Sequence, residues 1–166
     1  MNTQTAKFFR SALFALLLVL PAAVAFAAQP DISCDKQSFD FLTGRYLLDG
    51  HVRVATKESV VTADHAQGSF LTQEVWAQGN VTLMRDDLLF RGEDLYVDAK
   101  NHIANLKENI FFERGDLSIK ADAVTFNWDT KIAECTGKVT RTLAGEKKKV
   151  SRLVYNVATG EIVSEE

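Results

Sequence analysis

Apolar residues alternate with polar ones along short runs of this chain. Val52 and Val54, Leu88 and Phe90, Ile110 and Phe112, and Leu117 and Ile119 each stand two residues apart, with polar or mixed neighbours. Residues two apart share one face of an extended strand, so this period marks half-buried β-strands. No sustained helical stripe follows residue 26, and both prolines precede residue 31. No strand is therefore interrupted by a residue that lacks an amide donor. The pattern predicts an all-β chain.

A longer period runs beneath this one. Gly50-His51-Val52-Arg53-Val54, Gly79-Asn80-Val81-Thr82-Leu83, Glu108-Asn109-Ile110-Phe111-Phe112 and Gly137-Lys138-Val139-Thr140 are related phrases. Their anchors Val52, Val81, Ile110 and Val139 are spaced 29 residues apart. A fixed period of roughly 20–50 residues is the signature of a repeat architecture. Polar reversals keep the same spacing: Lys57, Asp86, Gly115 and Ala144 share one slot. Asp98-Ala99-Lys100-Asn101, Trp128-Asp129-Thr130-Lys131 and Val157-Ala158-Thr159-Gly160 fall half a period later. Turns recur every 14 or 15 residues, which makes each repeat two antiparallel passes.

Each pass also changes parity in its middle. Ala63-Asp64, Gly92-Glu93 and Ala121-Asp122 share a slot; Phe90 or Ile119 lies on the apolar parity before it, and Leu95/Val97 or Val124/Phe126 on the opposite parity after it. A flip inside one extended run implies a bulge or corner. Four short strands per repeat then predict about sixteen antiparallel strands in two facing sheets, a twisted β-jelly-roll open at both edges. The last repeat departs: Lys147-Lys148-Lys149 stands where Leu117 and Ile119 predict apolar residues, so an exposed hairpin with a shifted register is expected there.

The first 27 residues read as an export leader rather than as fold. Lys7 and Arg10 precede an uncharged apolar run from Ser11 to Phe26, Pro21 breaks its helix, and Ala25-Phe26-Ala27 is a small-x-small cleavage site. The run is shorter than the roughly 20 residues a spanning helix needs. Residues 28–166 then form a single domain with 17 basic and 22 acidic side chains, net −5, which argues against nucleic-acid binding. Cys34 and Cys135 are 101 residues apart, about 3.5 repeats, too far for a disulfide in a stacked fold, so free thiols or an intermolecular link are expected. His51, His65 and His102 lack metal-ligand spacing, and no catalytic constellation or phosphate loop stands out. No enzyme activity, metal or cofactor is expected.

The inward-facing set consists of Val52, Val54, Val61, Leu83, Leu88, Phe90, Leu95, Val97, Ile110, Phe112, Leu117, Ile119, Val124, Phe126 and Val139. These residues either pack on each other or wall a groove, and small residues at the corner slot (Ala63, Gly92, Ala121) leave room for the second reading. Open sheet edges carry unpaired backbone groups that recruit another strand. Ile32, Phe39, Phe41, Leu153, Tyr155 and Ile162 are the candidate edge and partner contacts.

In these phrases the chain resembles the LptA/OstA-like family of periplasmic lipopolysaccharide-transport proteins. Ile32-x-x-Asp35-x-Gln37-Ser38-Phe39 is similar to that family's opening strand, and Gly50-x-Val52-x-Val54 with Thr62-Ala63-Asp64 to its recurring phrase. Gly79-Asn80-Val81 with Gly92-Glu93-Asp94-Leu95-Tyr96, and Asn109-Ile110 with Leu117-Ser118-Ile119-Lys120-Ala121-Asp122, repeat it, so the match spans about residues 32 to 164. Glu108 in place of the repeat glycine and the irregular last repeat are departures. The resemblance implies an apolar interior that shields lipopolysaccharide acyl chains. It also implies head-to-tail stacking and edge-strand pairing with LptC-like inner-membrane and LptD-like outer-membrane partners. A membrane-anchored LptC-like component that keeps its leader, and an exported structural β-repeat without a lipid ligand, are the alternatives.

Overall fold

The computed structural model describes residues 31–69 and 71–166; the leader and its cleavage site lie outside them. Eleven strands follow one another: β1 (Asp31–Ser33), β2 (Lys36–Asp40), β3 (Arg45–Ala55), β4 (Ser59–Ser69), β5 (Glu74–Arg85), β6 (Leu88–Asp98), β7 (Ile103–Arg114), β8 (Leu117–Asn127), β9 (Ile132–Leu143), β10 (Glu146–Asn156) and β11 (Glu161–Glu165). All pairings are antiparallel, and from β3 to β11 every strand pairs with the next in sequence. β1 and β2 both pair with β3, side by side along its length.

The passes and turns fall where the 29-residue period places them, but the strand count differs. Eleven strands form one continuous hydrogen-bonded sheet instead of sixteen in two sheets, because the ladder resumes on both sides of every corner. Each corner is a one-residue irregularity and not a break. Between β5 and β6, for example, Gln78 faces Asp94 and Val81 faces Gly92, three steps against two. The sheet is nonetheless strongly curled. Phe112 and Tyr155 stand on strands three apart and near opposite ends of a pass, yet their ring centroids are 5.3 Å apart.

The repeated phrase has a backbone explanation. Gly79 (φ 75°) and Asn80 (φ 49°) are both left-handed, as are Gly50 and His51, Glu108 and Asn109, and Gly137 and Lys138. Two left-handed residues in succession insert the extra step on β3, β5, β7 and β9 while keeping the same face inward. Leu48 and Val52, Ala77 and Val81, Leu106 and Ile110, and Cys135 and Val139 are therefore all buried on either side of the corner. β4, β6 and β8 make the same corner by the parity flip that their sequences show: Val61 and Ala63 precede Ala66, and Ile119 and Ala121 precede Val124 and Phe126, all buried. Every positive-φ residue among the described ones occupies a periodic slot, the remainder lying at the turns. Gly44, Gln73, His102, Lys131 and Gly160 are spaced 29 apart at one end, and Asp86, Gly115 and Ala144, followed by Gly145, sit at the other.

The carboxylate in the parity-flip slot supports the corner of its neighbour. Asp35, Asp64 and Asp122 lie over Gly50, Gly79 and Gly137, and a Cβ on Gly137 would meet Asp122 Oδ2 at 2.8 Å. Asn80 Nδ2 donates to Asp64 Oδ2 at 2.8 Å, and His51 Nδ1 stands 2.7 Å from Asp35 Oδ2. The histidines thus serve as partners of neighbouring carboxylates: His65 faces Asp49 on the adjacent strand at 2.5 Å, and His102 faces Asp129 in the adjacent turn at 2.5 Å.

The basic stretch of the last repeat is exposed as expected, from Glu146 to Lys149, but its register is not shifted. Glu146 pairs with Leu143 across a two-residue turn as Leu88 does with Arg85, and the irregularity between Val150 and Arg152 is the same corner that the other pairs make. β11 is clamped by Glu165, which receives Lys148 and the buried Arg141. The hydrogen bond from Lys148, and then Arg141, hold the Glu165 carboxyl below its usual range. Such a group stabilises above its unfolded pKa and loses that contribution as pH falls through the folded one. Acidification below the ordinary value of 4.5 is therefore expected to speed amide exchange in β11, relative to β7, after correction for intrinsic rates. Glu165→Gln should show fast β11 exchange already at neutral pH; equal rates in the two proteins would refute the clamp.

Candidate functional site: an apolar cavity beneath the repeats

The inner face of the sheet does not close completely. β4 to β10 surround a cavity of about 420 Å³. Val61, Leu83, Leu88, Phe90, Leu95, Phe112, Ile119, Val124 and Phe126 line it, as a groove reading of the sequence requires. Val52, Val54, Val97, Ile110, Leu117 and Val139 are buried in the core but lie off this wall. The inward set thus divides: one part fills the interior and the other borders space. The corner anchors Val52, Val81, Ile110 and Val139 are each at most 3 % exposed, four successive rungs of the packed interior, of which Val81 also borders the cavity.

Further wall residues escaped the strand-alternation signal: Ala104, Leu106, Ala133, Cys135 and Tyr155. The 29-residue period could have found some of them, since Leu48, Ala77, Leu106 and Cys135 share the slot four residues before each anchor. Alanine and cysteine are weak hydrophobic markers, and the two left-handed residues between slot and anchor hide the common face. Both cysteines are free, Cys135 buried and Cys34 partly exposed. Burial, with the nearby Glu134 charge, pushes the Cys135 thiol up to about 12.

One margin of the cavity is polar. Arg85, Asp86, Asp87 and Arg114 border it at one end of the passes, and Lys131 with Val157 and Ala158 at the other. Arg114 reaches across: its Nη1 donates to the Val157 carbonyl at 2.7 Å, and its Nε to Asp87 Oδ2 at 3.3 Å. Burial opposes the Arg114 charge, but hydrogen bonding to Tyr155 and Asp87 outweighs it and the guanidinium pKa is raised.

The edge residues also divide. Ile32 on β1 pairs opposite Val54, and Phe39 on β2 packs against Tyr46, centroids 4.5 Å apart. Phe41 is exposed in the following turn, and Ile162 lies on the terminal strand β11. Leu153 and Tyr155 are not edge contacts: β10 is paired on both sides there, and both side chains are fully buried. Alternation alone does not reveal which strand is last, and the five residues of β11 after the Val157–Gly160 turn cover this half of β10. The other half, Glu146 to Val150, pairs only with β9. The basic residues of this region do not act as one cluster, since Arg152 is tied to Glu134 at 2.5 Å and Arg141 to Glu165.

No family model matches the sequence, and no curated protein matches it. Among solved structures, the chain is similar to LptH of Pseudomonas aeruginosa, the LptA-homologous periplasmic component of the lipopolysaccharide transport device. The match has a TM-score of 0.57 and 10% identity, and covers 65% of this chain and 82% of that one. Identity at that level speaks to architecture alone: this chain has the fold of an LptA homologue.

Proposed function

We propose that this protein is a periplasmic, non-enzymatic lipid carrier that bridges the inner and outer membranes by holding lipopolysaccharide acyl chains in the cavity described above. The observation that carries the reading is the cavity itself. Its wall is built by the same slots of successive repeats, which supports a trough along the stack rather than an isolated pocket. In this reading the two halves of each bent pass face each other as in a jelly-roll, and the Phe112–Tyr155 contact supports that arrangement. Apolar transfer contributes roughly 0.8 kcal/mol per buried methylene, enough to hold a chain without any directional contact. Head-to-tail association would join β1 and β2 of one copy to β11 and the uncovered half of β10 of another. LptC-like and LptD-like partners would use the same two edges. The LptA-like architecture supports this choice of edges.

Cys135 supplies a native probe of the trough. In a Cys34→Ser protein it is the sole thiol, and it lies on the cavity wall. Its raised pKa makes the thiol slow to react at neutral pH, so the rate is read at about pH 10, where a measurable fraction is ionised. Acylated lipopolysaccharide is expected to slow reaction with a small uncharged thiol reagent by at least about tenfold, whereas the delipidated oligosaccharide leaves the rate unchanged. Equal rates with and without lipid would sink the carrier reading, and self-assembly without protection would favour an exported structural repeat. Amino-terminal sequencing of the exported protein distinguishes a released carrier, starting near Ala28, from an anchored LptC-like component.

A further inference from the structure

Two arginines at the mouth of the trough continue the inward alternation of apolar residues along their strands. Arg85 continues the inward parity of Val81 and Leu83, and Arg114 that of Ile110 and Phe112. The register sets them in one row, with Arg85 opposite Leu88 on β6 and Leu88 opposite Arg114 on β7. Two strand spacings separate their Cα atoms, about 10 Å. Both guanidiniums are substantially covered, with side-chain exposures of 24% and 31%. Covering a guanidinium costs desolvation that an apolar side chain in the same slot would avoid. The same slot holds uncharged residues in the flanking repeats, Thr56 before and Leu143 after.

The present partners of the two arginines are exchangeable. Arg85 contacts Glu58 at 3.3 Å and Asp86 at 3.9 Å, and Arg114 contacts Asp87 at 3.3 Å, all through carboxylates at least 59% exposed. Exposed pairs of this kind contribute little to stability. Arg114 also donates to the Val157 carbonyl and is held by Tyr155, which together with Asp87 still leaves part of its five donors over. A phosphate offers each guanidinium a bidentate, charge-assisted partner, which is stronger than either.

We propose that Arg85 and Arg114 form a phosphate subsite at the trough mouth, taking the head group of an amphiphile whose acyl chain lies against Leu88, Phe90 and Phe112. This inference rests on the carrier reading and adds the polar half of the ligand. It makes the trough directional: chains enter with the charged group held at the Arg85–Arg114 margin.

The test uses the full mature chain with Cys34→Ser and reads protection of Cys135. Tetradecyl phosphate is expected to bind at least about tenfold more tightly than tetradecyl maltoside at low salt, and added salt should shrink the difference. Arg85→Gln with Arg114→Gln should abolish that preference while leaving maltoside binding unchanged; lysine at both positions should restore only part of it. Equal binding of the two amphiphiles to the unsubstituted protein, or a preference that survives the double substitution, overturns the subsite and leaves the carrier reading standing. Protection by neither amphiphile overturns both. Inorganic phosphate should compete only weakly with tetradecyl phosphate. Competition at equal concentration would assign the arginines to a free anion instead of a lipid head group. If the double variant folds poorly, the single variants Arg85→Gln and Arg114→Gln keep the test decisive: each should lower the preference, and Lys131→Gln, at another part of the margin, should not; the reverse order overturns the subsite.

Discussion

Gly79→Ala is expected to destabilise the protein by about 2–4 kcal/mol, and Glu108→Gly to stabilise it by about 1 kcal/mol, although both act on the same slot of adjacent repeats. Gly79 sits at φ 75°, a conformation that costs an L-residue of order 1 kcal/mol. A Cβ there would also fall inside the contact distance of the Asp64 carboxylate, whose own Cβ is 2.9 Å from the new atom. Asp64 cannot withdraw freely, since it accepts from Asn80 Nδ2 and covers the corner. Glu108 already bears the conformational cost at φ 62° and has no aspartate over it; the corresponding slot holds Glu93. The longer acid turns instead to the other neighbouring strand, β5, where its Oε2 accepts from Asn80 N at 3.4 Å, which leaves space for the Glu108 side chain on β7. The two departures from the repeat, Glu for Gly and Glu for Asp, are therefore one compensated change. Urea midpoints at constant m decide the point. A Glu108→Gly protein no more stable than its parent would show that the corner is not strained.

This pair also shows how far the sequence could be read. The Gly-Asn-Val phrase stood out because left-handed backbone favours Gly and Asn, and its spacing gave the number and order of passes. The corners were visible because a bulge shifts an alternation of period two by one residue, as between Ile119 and Val124. Whether a corner divides a strand into two was not visible. That depends on whether the hydrogen-bond ladder resumes beyond the bulge, and it does between Gln78 and Asp94. The edge assignment failed at Leu153 and Tyr155 for a related reason. Five residues of β11 with a weak pattern suffice to convert an edge into an interior strand. Cys135 and Ala104 stayed hidden on the cavity wall because small side chains carry little periodic signal. Arg85 and Arg114 were missed because a cation on an inward parity reads as the end of a strand.

The same side-chain deletion should separate packed interior from open trough. Leu153→Ala is expected to cost about 2–5 kcal/mol, and Leu95→Ala no more than about 1.5 kcal/mol. Leu153 is 0% exposed between β9 and β11, so removing it both forfeits transfer energy and leaves a void that the paired strands cannot collapse into. Leu95 is only partly buried and lines the cavity, so several atoms of its side chain already lack a protein neighbour. Truncating it enlarges space that exists instead of creating a new hole, and the loss reduces to its partial burial. The order should reverse for binding: Leu95→Ala weakens the affinity of an acylated ligand, and Leu153→Ala leaves it unchanged wherever the protein remains folded, each read as Cys135 protection relative to that variant's own ligand-free rate because Leu153 pairs opposite Cys135. Equal stability costs would mean that the interior around Leu95 is as tightly packed as around Leu153, and the trough would then have no room for a chain. Adding ligand sharpens the comparison, because a ligand that binds only the folded state raises the midpoint with its concentration. That rise should be smaller in Leu95→Ala than in the parent and undiminished in Leu153→Ala.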